Sequence, residues 1–234
     1  MTDTSNAPPF PFTMIGFDLD GTLVESHRDL APAVNHALEQ AGRPPVEVEV
    51  VRDLIGGGTA AMLRRALERT GGMLPPDAFE QRLGDVLAWY ETHIVNETVP
   101  YPGCLAALDA LAARGCTLAV VTNKIENFAV KLLEELGMAD RFAVILGGDT
   151  LGPGRAKPAP DMIEEAIRLC REGGARQGRF AMIGDSSFDV RAAKAAGVPA
   201  VAVSFGYNDM PMEDLGADAV IDHYDDLVGA LERL

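Results

Sequence analysis

Two aspartates one residue apart, Asp18 and Asp20, close an apolar run in I-G-F-D-L-D-G-T-L-V at residues 15–24. Three further polar clusters follow: Thr122-Asn123-Lys124 after T-L-A-V-V, Lys157 in R-A-K-P-A-P, and Gly184-Asp185-Ser186-Ser187-Phe188-Asp189 after F-A-M-I. Taken singly, each has a plain structural reading. D-x-D is a common turn or cap, T-N-K a strand-to-helix turn, K-P-A-P a linker with Pro at a helix start. In G-D-S-S-F-D, Asp185 or Ser186 can cap a helix. Brought to one rim, the same residues supply carboxylates, ammonium groups, a hydroxyl and an amide, a set that binds a hard cation and an oxyanion together. Mg²⁺ takes oxygen ligands, and Asp18, Asp20 and Asp185 around it would offset the repulsion in the first motif. A carboxylate beside the ion can attack phosphorus, and a second can protonate the leaving oxygen and then activate water. Lys157 and the Thr122 hydroxyl can hold the phosphoryl oxygens.

The elements that must position these residues are legible as periodicity. From residue 102, helical and strand patterns alternate. A helix in G-C-L-A-A-L-D-A-L-A-A-R-G places Leu105, Leu108 and Leu111 on one face, and T-L-A-V-V follows as a strand. A helix with Phe128, Leu132, Leu133 and Leu136 precedes F-A-V-I-L. Further helices around D-M-I-E-E-A-I-R-L-C and V-R-A-A-K-A-A-G alternate with F-A-M-I, P-A-V-A-V-S and A-V-I, before a terminal helix D-D-L-V-G-A-L-E-R-L. Short, nearly continuous apolar strands between helices predict a parallel sheet covered on both faces, with ligands bound at the strands' C-terminal ends. All the polar clusters fall at that rim.

Residues 26–96 differ. Ser26 is placed to cap a helix carrying Leu30, Val34, Ala37, Leu38 and Ala41. More helical patterns follow near 47–54, 59–70 and 77–95, with no convincing strand. The predicted architecture is a doubly wound α/β (Rossmann-like) core, residues 12–24 and 97–234, with a helical cap, residues 25–96, inserted after the first core strand.

The bulk composition sets limits. The 234 residues are 47% hydrophobic and carry a formal net charge of −15, which argues against nucleic acid or an anionic membrane face as partner. Cys104, Cys116 and Cys170 are odd in number and scattered. They read as reduced thiols of a cytoplasmic protein, without a zinc site. The N-terminal M-T-D-T-S-N-A-P-P-F-P-F lacks the features of a signal peptide and reads as a short frayed arm. No run approaches the length of a membrane span.

The ordered set D-L-D-G-T-L, V-T-N-K, K-P-A-P and G-D-S-S-F-D resembles the four motifs of the haloacid dehalogenase superfamily, and the insert after the first motif resembles its helical cap. The resemblance spans residues 12–234. It implies Asp18 as nucleophile, Asp20 as general acid/base, and Thr122 and Lys157 as phosphoryl-stabilising groups. It also implies Mg²⁺ held by Asp18, Asp185 and the Asp20 carbonyl, with Asp189 supporting that site directly or through water. Members that cleave carbon–halogen bonds lack the second aspartate, so Asp20 points to phosphoryl transfer.

V-R-D-L-I-G-G-G-T-A-A-M-L-R-R-A-L, G-G-D-T-L and F-G-Y-N are similar to segments of the phosphoglycolate phosphatases within that superfamily. This implies a small phosphorylated metabolite as partner, 2-phosphoglycolate, in a monomer or homodimer. Asn123, Lys124, Gly57 and Arg64 join the expected substrate-binding set, because a substrate carboxylate would profit from a cation near the cap loop; Arg52 and Arg65 flank that loop too. His27 is placed to touch substrate or to serve as a first-turn cap residue. Rivals on the same core are a phosphosugar mutase, a pyrophosphatase and a nucleotidase; a binding protein without catalysis is the rival from another class.

Overall fold

The computed structural model describes residues 10–234; the frayed arm expected at the N-terminus falls mainly on residues 1–9, outside them. In chain order the elements are β1 (Phe12–Phe17), β2 (Val24–Glu25), α1 (His27–Gln40), α2 (Val48–Val51), α3 (Thr59–Thr70), α4 (Pro76–Glu91) and β3 (Val99–Pro100). Then come α5 (Cys104–Ala113), β4 (Thr117–Val121), α6 (Glu126–Glu135), β5 (Val144–Leu146), α7 (Asp161–Glu172) and β6 (Arg179–Gly184). The chain closes with α8 (Ser187–Ala195), β7 (Ala200–Val203), α9 (Met212–Leu215), β8 (Ala219–Ile221) and α10 (Leu227–Glu232).

Six strands form one parallel sheet in the order β5-β4-β1-β6-β7-β8. Successive side chains of a strand face opposite ways, and the apolar runs divide accordingly. Ile15, Phe17, Leu118, Val120, Ala181 and Ile183 pack on one face with α5, α6 and α10. Met14, Ala119, Val121, Phe180 and Met182 pack on the other with α7 and α8. The doubly wound sheet is therefore as the alternation predicts, and its central strands are mainly apolar because both faces are covered there. In α5 the buried stripe is Cys104, Leu108 and Leu111. Leu105 lies 40% exposed, one helical step off the face expected for it.

Between β1 and β4 the chain is mostly helical. Leu30, Val34, Met62, Leu63, Val86 and Tyr90 of this layer belong to the same apolar cluster as the first face of the sheet. The layer departs and returns through a two-residue antiparallel ribbon, Val24 opposite Pro100 and Glu25 opposite Val99, too short to leave a sequence pattern. Beside it, the buried Asp29 carboxylate in the first turn of α1 accepts the N–H groups of Asn96 (3.0 Å), Glu97 (3.0 Å) and Thr98 (2.9 Å) and the Thr98 hydroxyl (2.7 Å). Asp29→Ala would leave those donors without their acceptor, the two of buried Thr98 with no water to replace it. We expect it to cost about 3 kcal/mol, read as a lowered urea midpoint with unchanged slope.

Ser26 occupies the N-cap position of α1 but makes no side-chain cap; its hydroxyl turns to Asp20 instead. No helix among the described residues is long and apolar enough to cross a membrane. All three cysteines are free and buried.

Candidate active site

Three neighbouring strands, β4, β1 and β6, end level with one another. The Asp18 N–H donates to the Ile183 carbonyl (2.9 Å), and Thr122 N–H donates to Leu146 on β5 (3.0 Å). Asp18 thus leaves the centre of the sheet between Thr122 and Asp185. The turn before α7 adds Lys157, whose ammonium lies 2.9 Å from Asp18 Oδ1 and 2.6 Å from Asp189 Oδ1. Carboxylate oxygens of Asp18, Asp185 and Asp189 all lie within 4.8 Å of one another.

Two glycines make this crowding possible. Gly21 takes φ +86°, and a Cβ there would run into the Asp185 carboxylate. A Cβ at Gly184 would overlap the Asp189 carboxyl. Asp185 is held by the Tyr207 N–H (2.6 Å) and the Thr22 hydroxyl (3.3 Å). Asp189 is engaged on both oxygens. Oδ2 accepts the Ser186 N–H (3.0 Å) and hydroxyl (2.6 Å) at the start of α8, and Oδ1 meets Lys157. The capping reading of G-D-S-S-F-D is realised in Ser186 and Asp189 while Asp185 faces the cluster.

The electrostatics follow from burial. Desolvation pushes the Asp18 carboxyl up to about 6, against the downward pull of Lys157. Burial raises Asp185 well above the carboxylate range, with Asp189 and Asp18 adding to the effect. For Lys157 burial acts downward, but Asp18 and Asp189 outweigh it and keep the ammonium charged. With all three carboxyls ionised, one ammonium would face three negative charges and leave two of them uncompensated. An all-oxygen donor set short of two positive charges fits a divalent hard cation.

Asp20 faces the cleft from beside this cluster. It receives Lys124 Nζ on both oxygens (2.8 and 3.1 Å) and the Ser26 hydroxyl (2.5 Å). Lys124 therefore spends its charge on Asp20. Asn123 donates its amide to the Lys157 carbonyl (2.9 Å), while its Oδ1 is buried without a partner. Tyr207 fixes the start of the helical layer by accepting the N–H groups of Ser26 (2.7 Å) and His27 (2.9 Å) on its hydroxyl. His27 is fully buried between Glu25 and Glu49 and is not among the cleft-lining residues.

A cavity of about 50 Å³ lies over Asp18, Asp20, Thr122, Asn123, Lys124, Lys157 and Asp185, roofed by Ile55, Gly56, Gly57, Gly58, Thr59 and Met62. One water needs roughly 10–15 Å³ on this scale, so the space suits a few water-sized groups. Gly57 lines it as expected; Arg64 does not. Arg64 is exposed on α3 and lies over the Phe79 ring at 4.5 Å, because the inward stripe of that helix is Met62, Leu63, Ala66 and Leu67. Arg65 is tied to the Leu54 and Gly56 carbonyls (2.8 and 2.7 Å), and Arg52 to Glu25 (2.9 Å). The expected cap cation is thus absent from the lining. We expect Arg64→Ala to leave kcat/KM within about twofold, and Arg65→Ala, which frees the glycine turn, to raise KM about fivefold. Steady-state kinetics would separate the two. Phe188 and Tyr207 also line the cavity. Neither stands out in the sequence beyond Tyr207 lying in F-G-Y-N after a strand.

Comparison with known proteins agrees with this geometry. The haloacid dehalogenase-like hydrolase profile matches residues 15–203. A phosphoglycolate phosphatase of Agrobacterium fabrum is 41% identical over 92% of this chain and 90% of its own length. One of Rhodospirillum rubrum is 41% identical over 89% of this chain and 86% of its own. The crystal structure of a predicted phosphoglycolate phosphatase from Haemophilus somnus superposes with a TM-score of 0.83 at 32% identity, covering 94% of this chain and 97% of that one.

Proposed function

The chain belongs to the haloacid dehalogenase-like hydrolases, and from that premise we propose that it is a Mg²⁺-dependent phosphatase acting on 2-phosphoglycolate through an aspartyl-phosphate. The observation that carries this is the Asp18–Lys157–Asp185–Asp189 cluster opening into a small cleft beneath the glycine turn. The relatives named phosphoglycolate phosphatase support the substrate.

On this reading residues 25–96 are a cap over a core formed by 12–24 and 97–234. Asp18 attacks phosphorus. A bond forms from its oxygen to phosphorus as the ester oxygen leaves, and Asp20 delivers a proton to that oxygen. Asp20 then takes a proton from water, whose oxygen displaces Asp18 and releases phosphate. Thr122, Asn123 and Lys157 hold the phosphoryl oxygens, and Lys124 and Ser26 keep Asp20 aimed at the cleft. Asp18, Asp185 and the Asp20 carbonyl would hold Mg²⁺, with Asp189 supporting the site. When bound, the ion supplies the positive charge that lets an anionic phosphate approach these carboxylates. The Gly58–Thr59 start of α3 offers the leaving group backbone N–H groups in place of a cap arginine. The narrow space over the cluster suits a small phosphoester better than a bulky one, and buried free thiols suit the reducing cytoplasm.

The test is phosphate release from 2-phosphoglycolate, phosphosugars, nucleotides and pyrophosphate, with Mg²⁺ and with EDTA. Mg²⁺-dependent release from 2-phosphoglycolate, preferred by about a hundredfold or more, is the expected result. A flat profile would remove the substrate assignment, and no release from any of them would remove the phosphatase.

A further inference from the structure

Lys124 is buried, and Asp20 occupies only one side of its ammonium. The other side meets a residue of the helical layer. The Tyr90 ring, on α4, has its centroid 4.5 Å from Lys124 Nζ. Tyr90 is itself 3% exposed and stands edge-on to Phe128 of α6, at 5.7 Å and 81°. The ring is thus wedged between the core and the ammonium. Its hydroxyl oxygen is buried without a well-formed hydrogen bond, so Lys124 meets the ring together with the polar edge that carries that oxygen.

We propose that Tyr90 is a positioning residue for Asp20, acting through Lys124; the inference rests on the phosphatase reading above. A desolvated ammonium is held by an aromatic face through the ring quadrupole. With that face in place, Lys124 has no water to turn to and stays on both oxygens of Asp20, fixing the carboxyl that must protonate the leaving oxygen. Without it, water reaches the ammonium and the Lys124–Asp20 pair loosens. Because the ring arrives on α4 and the pair sits on the core, the acid is fully aimed only while the helical layer is seated.

The consequence depends on the leaving group. An alkoxide such as that of 2-phosphoglycolate needs a proton as the phosphorus–oxygen bond breaks. Acetyl phosphate, of similar size, departs as acetate and needs none. In Tyr90→Leu, kcat/KM for 2-phosphoglycolate should fall about tenfold or more, while that for acetyl phosphate changes less than about threefold. Tyr90→Phe, which keeps the ring, should behave as wild type on both. In Lys124→Met the ratio between the two substrates should shift in the same sense, and adding Tyr90→Leu should shift it no further.

Tyr90→Met serves if the leucine variant does not fold. Equal losses on both substrates, a Tyr90→Phe variant as impaired as Tyr90→Leu, or additive effects with Lys124→Met would each overturn the inference and leave the phosphatase standing. Release from neither substrate by the wild-type protein would take down the phosphatase reading and this inference with it.

Discussion

An Asp18→Asn variant should release phosphate on the order of 10⁵-fold more slowly than the parent, the scale of losing a covalent nucleophile. It should nevertheless unfold at a higher temperature when both proteins have been treated with EDTA. Burial pushes the Asp18 carboxyl up to about 6. At pH 7 it is therefore ionised in a place that disfavours the charge, at a cost of up to roughly 3 kcal/mol relative to the unfolded chain. A neutral amide of the same shape removes that cost, while Lys157 keeps Asp189 as partner. The expected gain is about 5 °C in Tm, measured by calorimetry at pH 7.5. Near-parental turnover would sink the nucleophile assignment. A lower Tm would show that Asp18 is held mainly by Lys157 and not strained by burial.

Mg²⁺ should stabilise the parent, and do so more at pH 7.5 than at pH 5. Asp18 and Asp185 both have folded pKa values above their unfolded ones. Across the interval from ordinary carboxylate values up to about 6 for Asp18, the folded state binds more protons than the unfolded state. In EDTA, stability from these groups is present at the acid end and is lost as pH rises through the folded values. A divalent cation needs the deprotonated oxygens and replaces the missing protons. At a concentration about 100-fold above its Kd it would add about 2.7 kcal/mol, or roughly 5–10 °C for a chain of this size. At pH 5 protons compete and the shift shrinks. Thermal scans at both pH values, with Mg²⁺ and with EDTA, test this without any turnover. An equal shift at both values, or none, would contradict the assignment of the carboxylates as the binding set.

The six sheet strands were legible because both faces of the sheet are covered, which makes each strand a dense apolar run. The β2–β3 ribbon, two residues a side, leaves no periodicity to read. The gathering of Asp18, Asp20, Thr122, Lys157 and Asp185 at one rim was legible because short motifs put polar groups at strand ends. Partnerships were not. Nothing local distinguishes Lys124, drawn onto Asp20 by a fold that brings positions 104 residues apart together, from a lysine free to meet substrate. Arg64 and Arg65 are adjacent in sequence but about 100° apart around a helix. That rotation sends one over Phe79 and the other to the glycine turn. Tyr90 on Lys124, and Asp29 on residues 96–98, are long-range contacts of the same kind.

The Asp29 clamp has a consequence for insert length as well as for stability. Together with the β2–β3 ribbon it joins the two ends of the helical segment directly to each other. The distance between those ends is then set by the clamp and not by whatever lies between them. Lengthening the intervening chain adds little closure entropy, about 0.6 kcal/mol per doubling. An insert of another length could therefore close on the same junction without changing the spacing of its ends.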